Sequence, residues 1–246
     1  MKNIIKKICA LFNVEIHKKI SDSELNRNKI KRLILENKWL IEKNIKTIID
    51  IGANEGQFAQ KMRLLFPNAK IISFEPITQV YQQLNENFKN DKSFISYNFG
   101  LGEKEENITM WLNEYSPSSS ILKMSDHLNH FQNAKETAKI NIEIKPLDKV
   151  LNKSKIETPY LTKIDVQGFE KYVIKGGQSL IKNSLIIIIE VSFCSLFENQ
   201  VLFDEIYSIL KSLGYKYSGN YDQLYSPVNN KILQADAIFI KENISQ

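Results

Sequence analysis

The residues with the clearest chemical content lie in Asp50-Ile51-Gly52-Ala53-Asn54-Glu55-Gly56-Gln57-Phe58, where an apolar run ends in an acid and breaks into glycines. An Asp closing a strand, with Gly52 and Gly56 behind it, makes a turn at which backbone can approach a ligand closely. A second acid, Glu75, stands between Phe74 and Pro76 after the next apolar run. At the carboxyl end of a neighbouring strand, such an acid can accept both ribose hydroxyls of a nucleoside. Two further acids, Asp165 and Glu190, follow the apolar runs 159–164 and 185–189 and are expected to point into one crevice.

These residue types discriminate between cofactors. A dinucleotide fingerprint, G-x-G-x-x-G, would place glycines where this chain has Asn54 and Gln57, and no Gly-Lys-Ser/Thr of a P-loop follows. Asp50, immediately before the glycine turn, would repel a phosphate. It suits a ligand carrying an ammonium and a sulfonium, so S-adenosylmethionine fits the charges better than NAD does.

The elements that must position these acids follow from hydrophobic periodicity. From Lys46 onward, strand-like and helix-like segments alternate, the pattern of a doubly wound parallel sheet. Phe58, Met62 and Leu65 share a helix face; 70–74 and 93–97 read as strands; Tyr81, Leu84 and Phe88 mark the helix between them. Ile108, Met110 and Leu112, and then Ile140, Ile142 and Ile144, alternate with polar neighbours and predict two extra strands, paired with each other. Between them lies a polar insertion, about 113–139, holding Ser119, Ser120, His127 and His130. Insertions of that length are usually functional. The run 185–189 reads as a central strand closed by Glu190, and the last two strands are expected at 214–217 and 235–240.

Residues 1–42 read as a helical extension to a main domain at 43–246. Ile4, Ile5, Ile8, Leu11 and Phe12 recur at helical spacing with Lys2, Lys6 and Lys7 between them, and a second helical stretch follows from Ser23. The first apolar stretch has no small-residue cleavage site and does not read as a secretory signal. The expected role is a helix packed on the main domain or on a second copy in a homo-oligomer; peripheral contact with an anionic membrane is the other option for a basic amphipathic helix.

Composition narrows the class. With 246 residues and 43% hydrophobic content the chain can bury a full core. Its two cysteines, Cys9 and Cys194, are too few for a disulfide framework or a cysteine-type zinc site, so a reducing, cytoplasmic setting is expected. The net charge of +5 is spread along the chain, which argues against a dedicated nucleic-acid surface. No apolar run approaches the roughly 18 residues of a membrane span. Methylation of exocyclic amines would favour an Asn/Asp-Pro-Pro-aromatic block where this chain has Asp165-Val166-Gln167-Gly168. Cytosine C5 chemistry would need a cysteine in a Pro-Cys context that neither cysteine has.

Five blocks in order, Asp50 to Phe58, Phe74-Glu75-Pro76, Leu147-Asp148, Lys163-Ile164-Asp165-Val166-Gln167-Gly168-Phe169-Glu170 and Gln234-Ala235-Asp236-Ala237-Ile238-Phe239, resemble the successive motifs of FkbM-type methyltransferases. The resemblance implies a Rossmann-like class I methyltransferase fold, α/β with a seven-stranded, mostly parallel sheet whose last strand is antiparallel. It further implies methyl transfer from S-adenosylmethionine to an oxygen, with a sugar, glycan or related small molecule as acceptor. Asp50, Gly52, Asn54 and Gly56 would line the methionine end of the cofactor and Glu75 its ribose. Asn98 would lie near the adenine or ribose, and Ser119 and Ser120 would reach cofactor or acceptor. One residue departs from the pattern: the acid usual in the D-V-E-G block is Gln167 here.

The transfer also needs a base, because a sugar hydroxyl must lose its proton. Asp165 is the first candidate, with Glu190, Glu170 and the histidines His127 and His130 behind it. The competing reading of Asp165 is a cap for the helix that follows Gly168. A divalent cation held by Asp165 and Glu190 is a further alternative, with no metal site expected from the spacing. A binding module of the same fold without turnover, or an oxidoreductase on it, are the other functional classes.

Overall fold

The computed structural model describes residues 22–113, 119–123, 130 and 136–242. The chain divides into two compact units, one ending at Glu42 and the other beginning at Lys43. In the first, α1 (Asp22–Glu36) is followed by the short α2 (Lys38–Ile41), and Asn37 Nδ2 donates to the Leu33 carbonyl at 2.8 Å where they meet. The amphipathic stretch expected at 4–12 and His127 lie outside the described residues.

The second unit is built on a seven-stranded sheet in the order β3-β2-β1-β7-β8-β10-β9. Its elements run β1 (Thr47–Ile51), α3 (Gln57–Leu65), β2 (Lys70–Phe74), α4 (Thr78–Asn87) and β3 (Phe94–Tyr97). Next come β4 (Gly100–Leu101), β5 (Glu106–Asn113), β6 (Glu136–Lys145), α5 (Leu147–Val150) and β7 (Tyr160–Ile164). The remainder is α6 (Glu170–Gly176), α7 (Gln178–Asn183), β8 (Ile186–Ser192), α8 (Phe203–Ser212), β9 (Tyr215–Tyr225) and β10 (Ile232–Lys241). The first five strands of the order are parallel; β10 runs antiparallel to both β8 and β9, as the resemblance implies.

The central strands are buried at almost every position because helices cover both faces. On one face Ile49, Ile51, Ile72, Phe74, Ile164, Ile187, Ile189 and Phe239 form one cluster with Val173 and Ile174 of α6, Leu180 and Ile181 of α7, and Ile206 and Leu210 of α8. On the other, Met62 of α3 and Leu84 of α4 are fully buried, as their helical spacing predicts. Asp50, Ser73 and Lys163 are register partners on β1, β2 and β7, so their side chains share this second face. Glu190 and Asp236, partners across β8 and β10, fall on it too by the same alternation.

The extra strands do pair with each other: β5 and β6 are antiparallel, in a small sheet of order β4-β6-β5. Met110, Ile142 and Ile144 give it a core of its own with Ile77. Three sequence expectations change. β6 begins at Glu136, so the connecting segment ends earlier than 139. β8 runs on to Ser192, which puts Glu190 inside the strand rather than at its close, because β10 continues to pair with it there. β9 extends to Tyr225, well past 217, since β10 offers a partner along its length despite bulges.

Candidate active site

The turn after β1 is shaped by its glycines. Gly52 has φ +77°, and a Cβ there would stand 1.8 Å from the Asp165 carbonyl oxygen, so only glycine lets the ends of β1 and β7 come this close. Gly56, with φ +92°, caps α3. Asn54, also at positive φ, gives its backbone N–H to Glu75 Oε2 at 2.9 Å, while its Oδ1 accepts from Glu55 N at 2.7 Å. Glu75 Oε1 accepts from Ile77 N at 2.9 Å. Glu75 thereby ties the glycine turn to the end of β2.

Asn98 completes this corner. Its Nδ2 donates to the Glu75 and Pro76 carbonyls at 2.9 and 3.1 Å and its Oδ1 accepts from Thr78 Oγ1 at 3.0 Å. The side chain is thus engaged in holding the turn that carries Glu75. From the other side, Tyr221 of β9 meets Phe58 of α3 edge to face, with centroids 6.4 Å apart.

Where β7, β8 and β10 lie side by side, acids converge on one lysine. Lys163 Nζ lies 2.6 Å from Asp236 Oδ1 and 3.1 Å from Asp165 Oδ2. Burial alone would lower its pKa, but the two aspartates hold it above the usual lysine value. Gln167 Nε2 donates to Asp165 Oδ1 at 2.9 Å and to Glu190 Oε2 at 2.8 Å, so a single amide joins the two acids expected to share a crevice. Burial, then the nearby charges of Asp165 and Glu170, push the Glu190 carboxyl well above the ordinary range. Burial likewise raises Asp50, Glu75 and Glu170 to about 7 each.

The helix-cap reading of Asp165 is corrected. α6 starts at Glu170, and it is the Glu170 carboxylate that accepts from Val166 N at 3.1 Å and Gly168 N at 3.0 Å, leaving Asp165 to Lys163 and Gln167. Ser119 Oγ accepts from Asn113 N at 3.1 Å. Ser120 Oγ donates to the Gln167 carbonyl at 2.6 Å and accepts from Leu122 N at 3.0 Å. Ser120 of the inserted segment is thus docked on the 165–168 loop. His130 Nδ1 lies 2.9 Å from Ser226 Oγ, beyond the end of β9. Among the described residues no group of three or more His, Cys, Asp or Glu is arranged to hold a metal ion.

Sequence reasoning gave no role to Lys163, Asp236 or Gln167. The available signals were a lysine inside an otherwise apolar central strand, an aspartate inside another, and the one departure from a motif.

Asp50 is 1% exposed and its Oδ2 has no hydrogen-bond partner, an unmet acceptor at the lip of a turn that only glycine backbone can form. In comparison with known proteins, the Methyltransferase FkbM domain profile matches residues 50–217.

The chain belongs to the FkbM methyltransferase family. It is similar to the 2-O-methyltransferase NoeI of Sinorhizobium fredii, with 28% identity over 180 residues, 70% of this chain and 74% of the relative. The methyltransferase sdnD of Sordaria araneosa is 30% identical over 153 residues, 52% of this chain and 59% of that one. A solved FkbM methyltransferase from Methylobacillus flagellatus superposes with a TM-score of 0.52 at 12% identity, over 80% of this chain and 44% of that chain, and shares the fold. This FkbM protein spans less than half the length of that solved chain and under two thirds of sdnD.

Proposed function

We propose that this FkbM methyltransferase uses S-adenosylmethionine and methylates a hydroxyl of a sugar or glycan. The observation that carries the reading is the set of acids on and beside the central strands: Asp50, Glu75 and Glu170 are buried, and Asp165, Asp236 and Glu190 surround one lysine, Lys163. Such a site attracts a cation and repels the phosphates of a nucleotide. S-adenosylmethionine would supply a methyl group already activated by a sulfonium leaving group. Asp50, Gly52, Asn54 and Gly56 would hold its methionine end, and Glu75, fixed by the Asn54 and Ile77 amides, its ribose. The similarity to NoeI, a 2-O-methyltransferase by name, supports oxygen as the acceptor atom.

The chain's own contribution is alignment and proton removal. Asp165 is engaged by the Lys163 ammonium as well as by the Gln167 amide. Glu190 accepts from a neutral amide, and burial raises its carboxyl above the ordinary range, the direction that suits a group taking the proton of an alcohol. We therefore assign Glu190 as the base, with Asp165 beside it. Two cysteines in 246 residues suit a cytoplasmic enzyme.

The test is incubation with methyl-labelled S-adenosylmethionine and a panel of free and lipid-linked saccharides. Label should appear as a sugar O-methyl ether and vanish in Glu190→Gln. Tight cofactor binding with no label on any hydroxylated acceptor would mark a binding module instead.

A further inference from the structure

Gln167 is a neutral side chain among acids, and its place in the site explains what it does there. The Nε2 group has two hydrogens and donates both, one to Asp165 at 2.9 Å and one to Glu190 at 2.8 Å. Ionised carboxylates only accept, so the amide must present nitrogen to this pair. The backbone of Gln167 is in the left-handed region, φ +53°, which a residue with a side chain adopts only when its surroundings hold it there. They do so from both sides. Ser120 of the inserted segment donates to the Gln167 carbonyl, and Glu170 of α6 accepts from the Gly168 amide.

We infer that Gln167 is a positioning residue: it clamps Asp165 and Glu190 into one unit and limits the proton affinity of Glu190 by donating to its charged form. The inference rests on the assignment of Glu190 as the base. Besides burial, the charged groups acting on Glu190 are Lys163 from β7, Asp165 just beyond it, Glu170 from α6 and Asp236 from β10; apart from Lys163 all are acids. Among these like charges, the amide offers the carboxylate a hydrogen-bond donor without adding a competing charge. A glutamate at 167 would add one more acid; an alanine would remove the donor. Both changes raise the Glu190 midpoint, by different causes.

The experiment needs no acceptor. In protein labelled with carboxyl-13C glutamate, the Glu190 resonance is identified by its loss in Glu190→Gln and followed through a pH titration. Gln167→Ala should move its midpoint up by about one pH unit and Gln167→Glu by more. Ser120→Ala, which frees the Gln167 carbonyl, should move it the same way by less, and it serves as the second variant if Gln167→Ala fails to fold. Calorimetry with S-adenosylmethionine on the same samples separates the two readings. An unmoved Glu190 midpoint in folded Gln167→Glu and Ser120→Ala overturns the clamp even if the cofactor binds. A moved midpoint in a protein that does not bind the cofactor upholds the clamp and sinks the proposed function.

Discussion

Asp50 and Lys163 are register partners on β1 and β7, yet the Lys163 ammonium is directed to Asp165 and Asp236, and Asp50 Oδ2 is left without a hydrogen bond. A buried carboxylate with no such partner is costly, and here burial pushes its pKa to about 7, with Lys163 opposing the rise. A bound cation would relieve this cost.

Asp50→Asn keeps the shape and removes the charge. Affinity for S-adenosylmethionine should fall about 10- to 100-fold, roughly 1.4–2.8 kcal/mol, with a smaller loss for S-adenosylhomocysteine, which lacks the sulfonium charge. Calorimetry with both ligands checks this. Equal losses for the two would mean that Asp50 does not act through charge.

The pH dependence has a definite sign. Asp50, Glu75 and Glu170 have folded pKa values of about 7, above those of an unfolded chain, so the folded protein binds more protons in between. Their contribution is fully present below about pH 4 and is lost as pH rises through about 7. The thermal midpoint of the free protein should therefore fall between about pH 5.5 and about pH 8, while affinity for the cationic cofactor rises over the same interval. Differential scanning fluorimetry with and without cofactor reads both trends.

Lys163→Ala should be among the most damaging single changes in the domain. It leaves Asp165 and Asp236 facing each other with no cation, a loss of about 3–5 kcal/mol by analogy with other broken buried pairs. Urea denaturation measures it.

Gly52→Ala tests the close approach of β1 and β7. The added methyl meets the Asp165 carbonyl at 1.8 Å in a left-handed backbone, so either the turn or the end of β7 must move. Stability should drop by about 2–4 kcal/mol and cofactor affinity with it. An unchanged thermal midpoint would contradict the geometry.

Much of this was legible in the sequence, for reasons that differ by element. β1, β2 and β8 announce themselves by their isoleucines and β7 by Tyr160, Leu161 and Ile164, because strands covered on both faces favour apolar residues. β9 is an edge strand, half-exposed and polar, and its length is set by β10 rather than by its own composition. β4 is two residues long and exists only through pairing with β6. Asp50, Glu75, Asp165 and Glu190 were readable because each ends or nearly ends an apolar run. The partners that give them their chemistry were not: Lys163 meets Asp236 across 73 positions, and Gln167 reaches Glu190 across 23, contacts fixed only by the order of strands in the sheet.

The most direct measurement is calorimetric titration of the folded wild-type protein with S-adenosylmethionine and, separately, with NAD. A carboxylate-lined site built around Asp50 should bind S-adenosylmethionine and leave NAD unbound, with the first affinity sharply reduced in Asp50→Asn. Binding of NAD in preference, or S-adenosylmethionine affinity unchanged in Asp50→Asn, would contradict it.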